Sequence, residues 1–143
     1  SFSYSKPVNV PNTQINFVDM PNAVQSEITV QNIVNLKMKD DDFIAAILAN
    51  QILGGGSDSR VNLNLREDKG YTYGAYTSLG NDKYAPARFV ATAEVRNSVT
   101  DSSVVEMLKE LELINSNPVT EKELKTTKAI LFPTNIVPMK CAG

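Results

Sequence analysis

The chain has 143 residues, of which 42% are hydrophobic and 21% are charged, and its formal net charge is −2. This size and composition predict one globular domain over residues 1–143. The slightly acidic balance argues against a nucleic-acid partner, because such proteins usually present a basic face. No run of about 20 apolar residues is present, so no membrane span is predicted.

The missing residue types narrow the chemistry further. The chain has no histidine and one cysteine, Cys141. Most catalytic zinc sites use His ligands, and Ser or Cys triads usually depend on a His base, so this chain would need another unit to supply them. A lone cysteine forms no intrachain disulfide, and near a terminus it is more often an incidental thiol than a nucleophile.

The start of the chain says little about the compartment. SFSYSKPVNV lacks the basic and apolar blocks of a secretory signal, and it does not begin with Met. We therefore expect a piece of a longer polypeptide, and the localisation stays unknown.

The first elements in chain order are two predicted strands and a helix. Ile15–Val18 is expected to form a short strand, and Ser26–Ile33 a second strand with Ile28 and Val30 on one face. Asp40–Asp42 then precede the helix-forming run FIAAILANQIL, which three glycines end. Residues 43–49 are apolar on all sides, which predicts cover from the sheet and from a neighbouring domain.

The second half predicts a short helix, a hairpin and two further helices. Ser57 or Asp58 is expected to cap the short helix, with Val61 and Leu65 on its buried side and Arg66 near its end. Residues 71–78 and 88–95 are predicted to pair as antiparallel strands, and the second strand alternates so that its apolar residues share one face. Helical spacing from residue 104 to 111 and a capping box at residues 120–123 indicate the last two helices. The sum is an α+β fold, a two-layer sandwich with helices on one face of a mostly antiparallel sheet.

Two motifs that suggest ligand sites have simpler explanations. The glycine run 54–56 lacks the Gly-Lys-Ser/Thr ending of a P-loop and the third glycine of a dinucleotide loop, and it follows a helix instead of a strand. Helix termination explains it better. Asp40–Asp42 lack the order of a calcium loop, and the helix dipole alone explains an acidic helix start.

Arg66 and Tyr73 form the more informative pair. Gly70 is expected to reverse the chain between helix and strand, which would return Tyr73 to the neighbourhood of Arg66. On a regular strand Tyr71, Tyr73 and Ala75 share one face. A guanidinium and a phenol that converge there could grip a peptide carbonyl, and Gly74 would allow an extended peptide to come close. From the residues alone, a solvated Arg and a half-buried strand Tyr remain the simpler reading.

The stretch NQILGGGSDSRVNLNLREDKGYTYGAYTS resembles the non-catalytic domain of the pitrilysin and insulinase family of zinc metallopeptidases, the inverzincins. The resemblance rests on a leucine-glycine-glycine segment, a Ser-Arg pair and an LRE-x-x-G-x-x-Y-G run. VDMPNAVQSEITV and VTEKELKTTKAIL look like flanking elements of the same domain, so the resemblance covers most of the chain. The family's domain generally continues beyond a point such as Cys141.

The resemblance implies a shared active site. In this family one domain carries zinc on an H-x-x-E-H motif, whose Glu acts as general base. The other domain contributes an Arg and a Tyr that hold the substrate backbone and stabilise the oxyanion, and Arg66 and Tyr73 match these positions. Tyr71 and Gly74 are the accompanying substrate-binding candidates. No metal ligand is predicted in this chain, and zinc is expected in the partner domain.

Two alternatives stay open at this point. Some members of the family have lost peptidase activity and serve as structural or assembly subunits. A stand-alone module that binds peptides by strand addition belongs to a different class.

Overall fold

The computed structural model describes residues 7–133, so Cys141 lies outside the described residues. Three strands form one sheet: β1 (Gln25–Val34), β2 (Thr72–Leu79) and β3 (Ala87–Arg96). Their order in the sheet is β1-β3-β2, and both pairings are antiparallel. β2 and β3 form the predicted hairpin.

The helices lie between and after the strands. They are α1 (Phe43–Gly54), α2 (Arg60–Asn62), α3 (Thr100–Ser116) and α4 (Glu121–Leu131). α2 continues into a π-helical turn over Leu63–Asp68, and a short 3-10 turn over Asn97–Val99 leads into α3. None of the helices in the described part is both long and apolar enough to cross a membrane.

The core lies between the helices and one face of the sheet. β3 contributes Ala91, Ala93 and Val95, which alternate with more exposed residues as predicted. Val61 and Leu65 are fully buried against this face, and Met107 joins them from α3. The predicted α+β class is confirmed, with the sheet facing the helices on one side.

The helix ends explain part of the glycine run. A Cβ on Gly54 would lie 2.5 Å from the backbone nitrogen of Thr77, so only glycine lets the end of α1 approach β2 this closely. Gly55 is the residue that follows α1 and donates its N–H to the carbonyl of Gln51. The run ends the helix, as expected, and it also lets the helix end pack closely on β2, which was not predicted.

Two local predictions are wrong. Ile15–Val18 forms no strand, and Ile15 is 92% exposed, because no strand among the described residues pairs with this segment. The N-cap of α2 is Ser59 and neither Ser57 nor Asp58. The Ser59 hydroxyl donates to the carbonyl of Gly56 at 2.5 Å, so it stabilises the loop and does not cap the helix.

Candidate functional site

A widened turn carries Arg66 toward the start of β2. The N–H of Lys69 donates to the carbonyl of Asn64 at 3.0 Å, an i to i−5 bond that marks the π-helical turn. Gly70 then adopts φ +62°, a left-handed conformation that glycine tolerates best. The N–H of Tyr71 reaches back to the carbonyl of Leu65 at 2.8 Å. These bonds have the form of a Schellman helix end that is one residue wider than usual.

Arg96, at the end of β3, fastens this turn to the sheet. Its Nη2 donates to the carbonyl of Gly70 at 3.2 Å, and its backbone N–H donates to the carbonyl of Tyr71 at 3.4 Å. The reversal between the helix and β2 is therefore held from both sides, by the π-helical turn and by β3.

A surface depression of about 480 Å³ lies beside this reversal. Arg66, Tyr71 and Tyr73 all line it, so three of the four residues predicted for the site border one space. Glu67, Glu94 and Arg96 also line it. The lining therefore has two positively charged arginines and two negatively charged glutamates.

Arg66 and Tyr73 are both accessible to a ligand. The side chain of Arg66 is 46% exposed, and its Nε lies 3.4 Å from Glu67 Oε1. Such an exposed ion pair contributes little stability, so the guanidinium can exchange partners at low cost. Tyr73 is 88% exposed. The expectation of a half-buried strand tyrosine is therefore wrong.

Tyr73 is exposed because β2 is not regular at its start. Thr72 pairs with Val95 and Ala75 pairs with Ala93, so three steps on β2 match two steps on β3. This is a β-bulge. The predicted alternation that grouped Tyr73 with Ala75 on one face does not hold across it, since Ala75 is fully buried.

The other two candidates differ in their surroundings. Tyr71 is half-buried and packs against the core as well as lining the depression. Gly74 is not among the residues that line the depression. A Cβ on Gly74 would lie 2.7 Å from the ring of Tyr76, so that ring fills the space beside Gly74 where a peptide was expected to approach.

The Ser-Arg pair of the motif has a structural role in this fold. Arg60 Nε and Nη2 donate to the two carboxylate oxygens of Glu123 at 2.8 and 3.0 Å. Glu123 also closes the predicted capping box, which is present: it accepts from the N–H of Thr120, and its own N–H donates to the Thr120 hydroxyl. The hydrogen bond from Arg60, with help from Thr120, lowers the pKa of Glu123 to about 2. The same contact raises the pKa of Arg60.

Sequence reasoning missed Asn62, which is fully buried. Its Nδ2 donates to the carbonyl of Ser57 at 2.8 Å, and its Oδ1 accepts from the N–H of Ala75 at 3.1 Å. It ties the loop before α2 to β2, just beyond the bulge. An amide between the buried Val61 and Leu65 was the available signal, because a polar residue on a buried helix face needs partners.

The described residues offer no zinc site. Across 7–133 there is no group of three or more His, Cys, Asp or Glu side chains that could hold a metal ion. The polar side chains that line the depression are two arginines, two tyrosines, two glutamates, Gln25 and Thr72, a set that suits hydrogen bonding to carbonyls better than metal ligation.

Comparison with known proteins gives a family. The model of the peptidase M16 inactive domain matches residues 3–131. A solved structure of a peptidase M16 inactive domain from Pseudomonas fluorescens is 27% identical, with a TM-score of 0.71, and the match covers 76% of this chain and 26% of that one. No curated protein sequence matches the chain significantly.

Two further solved structures share the fold at lower identity. A protease from Helicobacter pylori is 18% identical with a TM-score of 0.71, and the match covers 80% of this chain and 27% of that one. A Bordetella pertussis Tohama I protein described as a "putative zinc protease" is 19% identical with a TM-score of 0.65, and 78% and 60% of the two chains are covered. This chain spans about a quarter of the length of the Pseudomonas fluorescens structure. The chain belongs to the peptidase M16 inactive-domain family, the non-catalytic peptidase-family domain that its central motif predicted.

Proposed function

We propose that this chain completes the active site of a zinc metallopeptidase whose metal is held by a partner domain or subunit with the H-x-x-E-H motif. Arg66 and Tyr73 are the groups that it contributes. The whole protein's activity is part of the proposal, since this chain spans only a fraction of its solved relatives.

One observation carries the proposal: Arg66 and Tyr73 line the same depression, and both are exposed to whatever enters it. They lie on opposite sides of a reversal that Gly70 and Arg96 fix. The backbone that carries both donors is therefore held in place, and Arg66 has only an exposed ion pair with Glu67 to give up before it donates to a substrate.

The chemistry follows from the two donors. When bound in the partner, zinc would activate the water that attacks the peptide carbonyl. Arg66 donates from its guanidinium, and Tyr73 from its phenol, to the carbonyl oxygen on which negative charge develops. Donors of this kind are worth about 3 to 4 kcal/mol of barrier, or about a hundredfold to a thousandfold in rate.

For peptide binding Tyr71 is the remaining candidate, since Gly74 does not line the depression and the Tyr76 ring occupies the space beside it. Backbone groups on the outer edge of β2 already have partners: the N–H of Ala75 donates to Asn62 Oδ1, and Asn50 Nδ2 donates to the carbonyl of Thr77. This edge therefore has few free groups for an added peptide strand. The other edge strand is β1, which begins at Gln25, and Gln25 lines the depression. A peptide that adds to β1 would therefore run toward Arg66 and Tyr73.

The edge of β1 already binds an amide group at its far end. Asn9 Nδ2 donates to the carbonyl of Ile33 at 2.8 Å, and the N–H of Ile33 donates to Asn9 Oδ1 at 2.7 Å. This pair of bonds is the one that a strand would make, so the edge presents its N–H and C=O groups in a usable direction.

The test uses the parent protein assembled with its H-x-x-E-H domain and loaded with zinc. We expect Arg66→Ala and Tyr73→Phe each to lower kcat by about a hundredfold or more with zinc content and assembly unchanged. Lys83→Ala, on the loop between β2 and β3, is the matched control for an exposed cation. Full activity in both site variants would refute the peptidase role and leave a structural or assembly subunit.

A further inference from the structure

The β-bulge at the start of β2 is built around one hydroxyl. Thr72 Oγ1 accepts the N–H of Gly74 at 3.1 Å. The same oxygen lies 2.8 Å from the carbonyl oxygen of Gly74 and 2.5 Å from that of Glu94 on β3. A hydroxyl has one proton to donate and two lone pairs, so it can serve Gly74 as acceptor while it donates to one of the two carbonyls.

These bonds bracket Tyr73. One bond joins the residue before Tyr73 to the residue after it, and the contact to Glu94 ties the same hydroxyl to the neighbouring strand. The extra residue of a bulge has no ladder partner, so its direction depends on such local bonds. Packing contributes little here, because Tyr73 is 88% exposed.

We propose that Thr72 is a positioning residue: its hydroxyl fixes the bulge that directs Tyr73 into the depression beside Arg66. The kinetic consequence rests on the proposed function, whereas the structural part does not. If Thr72 were only a good strand former, valine would replace it without loss, because valine has the same shape and an equal or higher strand propensity.

Neighbouring amides make a sharp structural test in the full parent protein. The N–H of Gly74 bonds to Thr72, but the N–H of Ala75 bonds to Asn62, so the two amides report different contacts. We expect Thr72→Val to speed hydrogen exchange of Gly74 by about tenfold or more and to leave Ala75 within about twofold. Thr72→Ser keeps the hydroxyl, so the amides of Gly74 and Ala75 should both exchange as slowly as in the wild type. Unchanged exchange at Gly74, or equal acceleration at both amides, would overturn the proposal.

A kinetic cycle tests whether Thr72 acts through Tyr73. In the assembled, zinc-loaded peptidase, Thr72→Val should lower kcat by about tenfold with little change in KM, and Thr72→Ser should restore it. Adding Thr72→Val to Tyr73→Phe should cost nothing more, because the group that Thr72 positions is already disabled.

The outcomes separate this inference from the proposed function. If Tyr73→Phe is inactive but Thr72→Val is as active as the wild type, the positioning role fails and the peptidase role stands. Should Tyr73→Phe be fully active, the proposed role of Tyr73 in catalysis fails, and the exchange of Gly74 alone decides whether Thr72 holds the bulge. Equal losses from Thr72→Val in the presence and absence of the Tyr73 hydroxyl would indicate a general structural effect and contradict the proposal.

Discussion

The ion pair between Arg60 and Glu123 predicts a specific dependence of stability on pH. The substitution is Glu123→Gln, because glutamine is a neutral side chain of the same length that keeps one acceptor oxygen for the capping box with Thr120. Its NH2 group replaces the other acceptor oxygen, so the variant loses the charge and part of the contact with Arg60, as a protonated Glu123 does. The side chains of Arg60 and Glu123 are 17% and 28% exposed, so the pair is only partly screened by water.

The magnitude follows from the lowered pKa of Glu123. The pKa falls from an ordinary 4.5 to about 2 in the folded chain. At about 1.4 kcal/mol for each pKa unit this is an upper limit of about 3 kcal/mol, and we expect about 1 to 3 kcal/mol after screening. Between pH 4.5 and 2 the unfolded chain binds more protons than the folded chain. This contribution is therefore complete above about pH 5 and is lost as the pH falls toward 2.

Urea unfolding of the wild type and of Glu123→Gln, followed by circular dichroism from pH 7 to pH 2, measures the difference in their free energies of unfolding. Wild type minus Glu123→Gln should be about 1 to 3 kcal/mol at pH 7 and near zero at pH 2, since the other titrating groups cancel. Glu121→Gln removes a charge from the same helix turn without the Arg60 contact, and it should cost only a few tenths of a kcal/mol. If this difference does not change between pH 7 and pH 2, the charge of Glu123 does not stabilise the fold.

Two further substitutions test how β2 is held, both by urea unfolding at pH 7. Gly54→Ala should destabilise the chain by about 1 to 3 kcal/mol, because the added Cβ would overlap Thr77 and this cost exceeds the helix preference of alanine. Gly56→Ala is the control. The nearest neighbour there is the flexible end of Gln51 at 3.3 Å, so stability should change by less than about 0.5 kcal/mol. Asn62→Leu should cost about 1 to 3 kcal/mol, because it leaves the buried N–H of Ala75 without its hydrogen-bond partner. A neutral Gly54→Ala or Asn62→Leu would contradict these contacts.

Much of the fold was predictable because local signals and burial agree. The alternation of β3 and the capping box of α4 each match the observed element. Ile15–Val18 shows the limit of such reasoning. Its pattern suits a strand, but a strand also needs a neighbour, and a local pattern does not contain that information.

The site was predictable as a set of residues but not in its geometry. The motif identified Arg66 and Tyr73, and Gly70 indicated the reversal that brings them to one depression. The bulge was not predictable, because it depends on how β2 pairs with β3 and on the bonds of one threonine hydroxyl. The π-helical turn was not predicted either, because nothing in the local sequence indicates the i to i−5 bond from Lys69 to Asn64.

In the proposed active site, Arg66 and Tyr73 face a substrate carbonyl beside a metal held by another domain. A structure of the assembled, zinc-loaded protein with a phosphinic peptide, whose phosphinate oxygens mimic the oxyanion, tests this arrangement. We expect Tyr73 Oη and an Arg66 guanidinium nitrogen to lie about 2.7 to 3.1 Å from such an oxygen or from the adjacent peptide carbonyl. If the analogue binds zinc with both side chains turned away from it, Arg66 and Tyr73 do not stabilise the oxyanion.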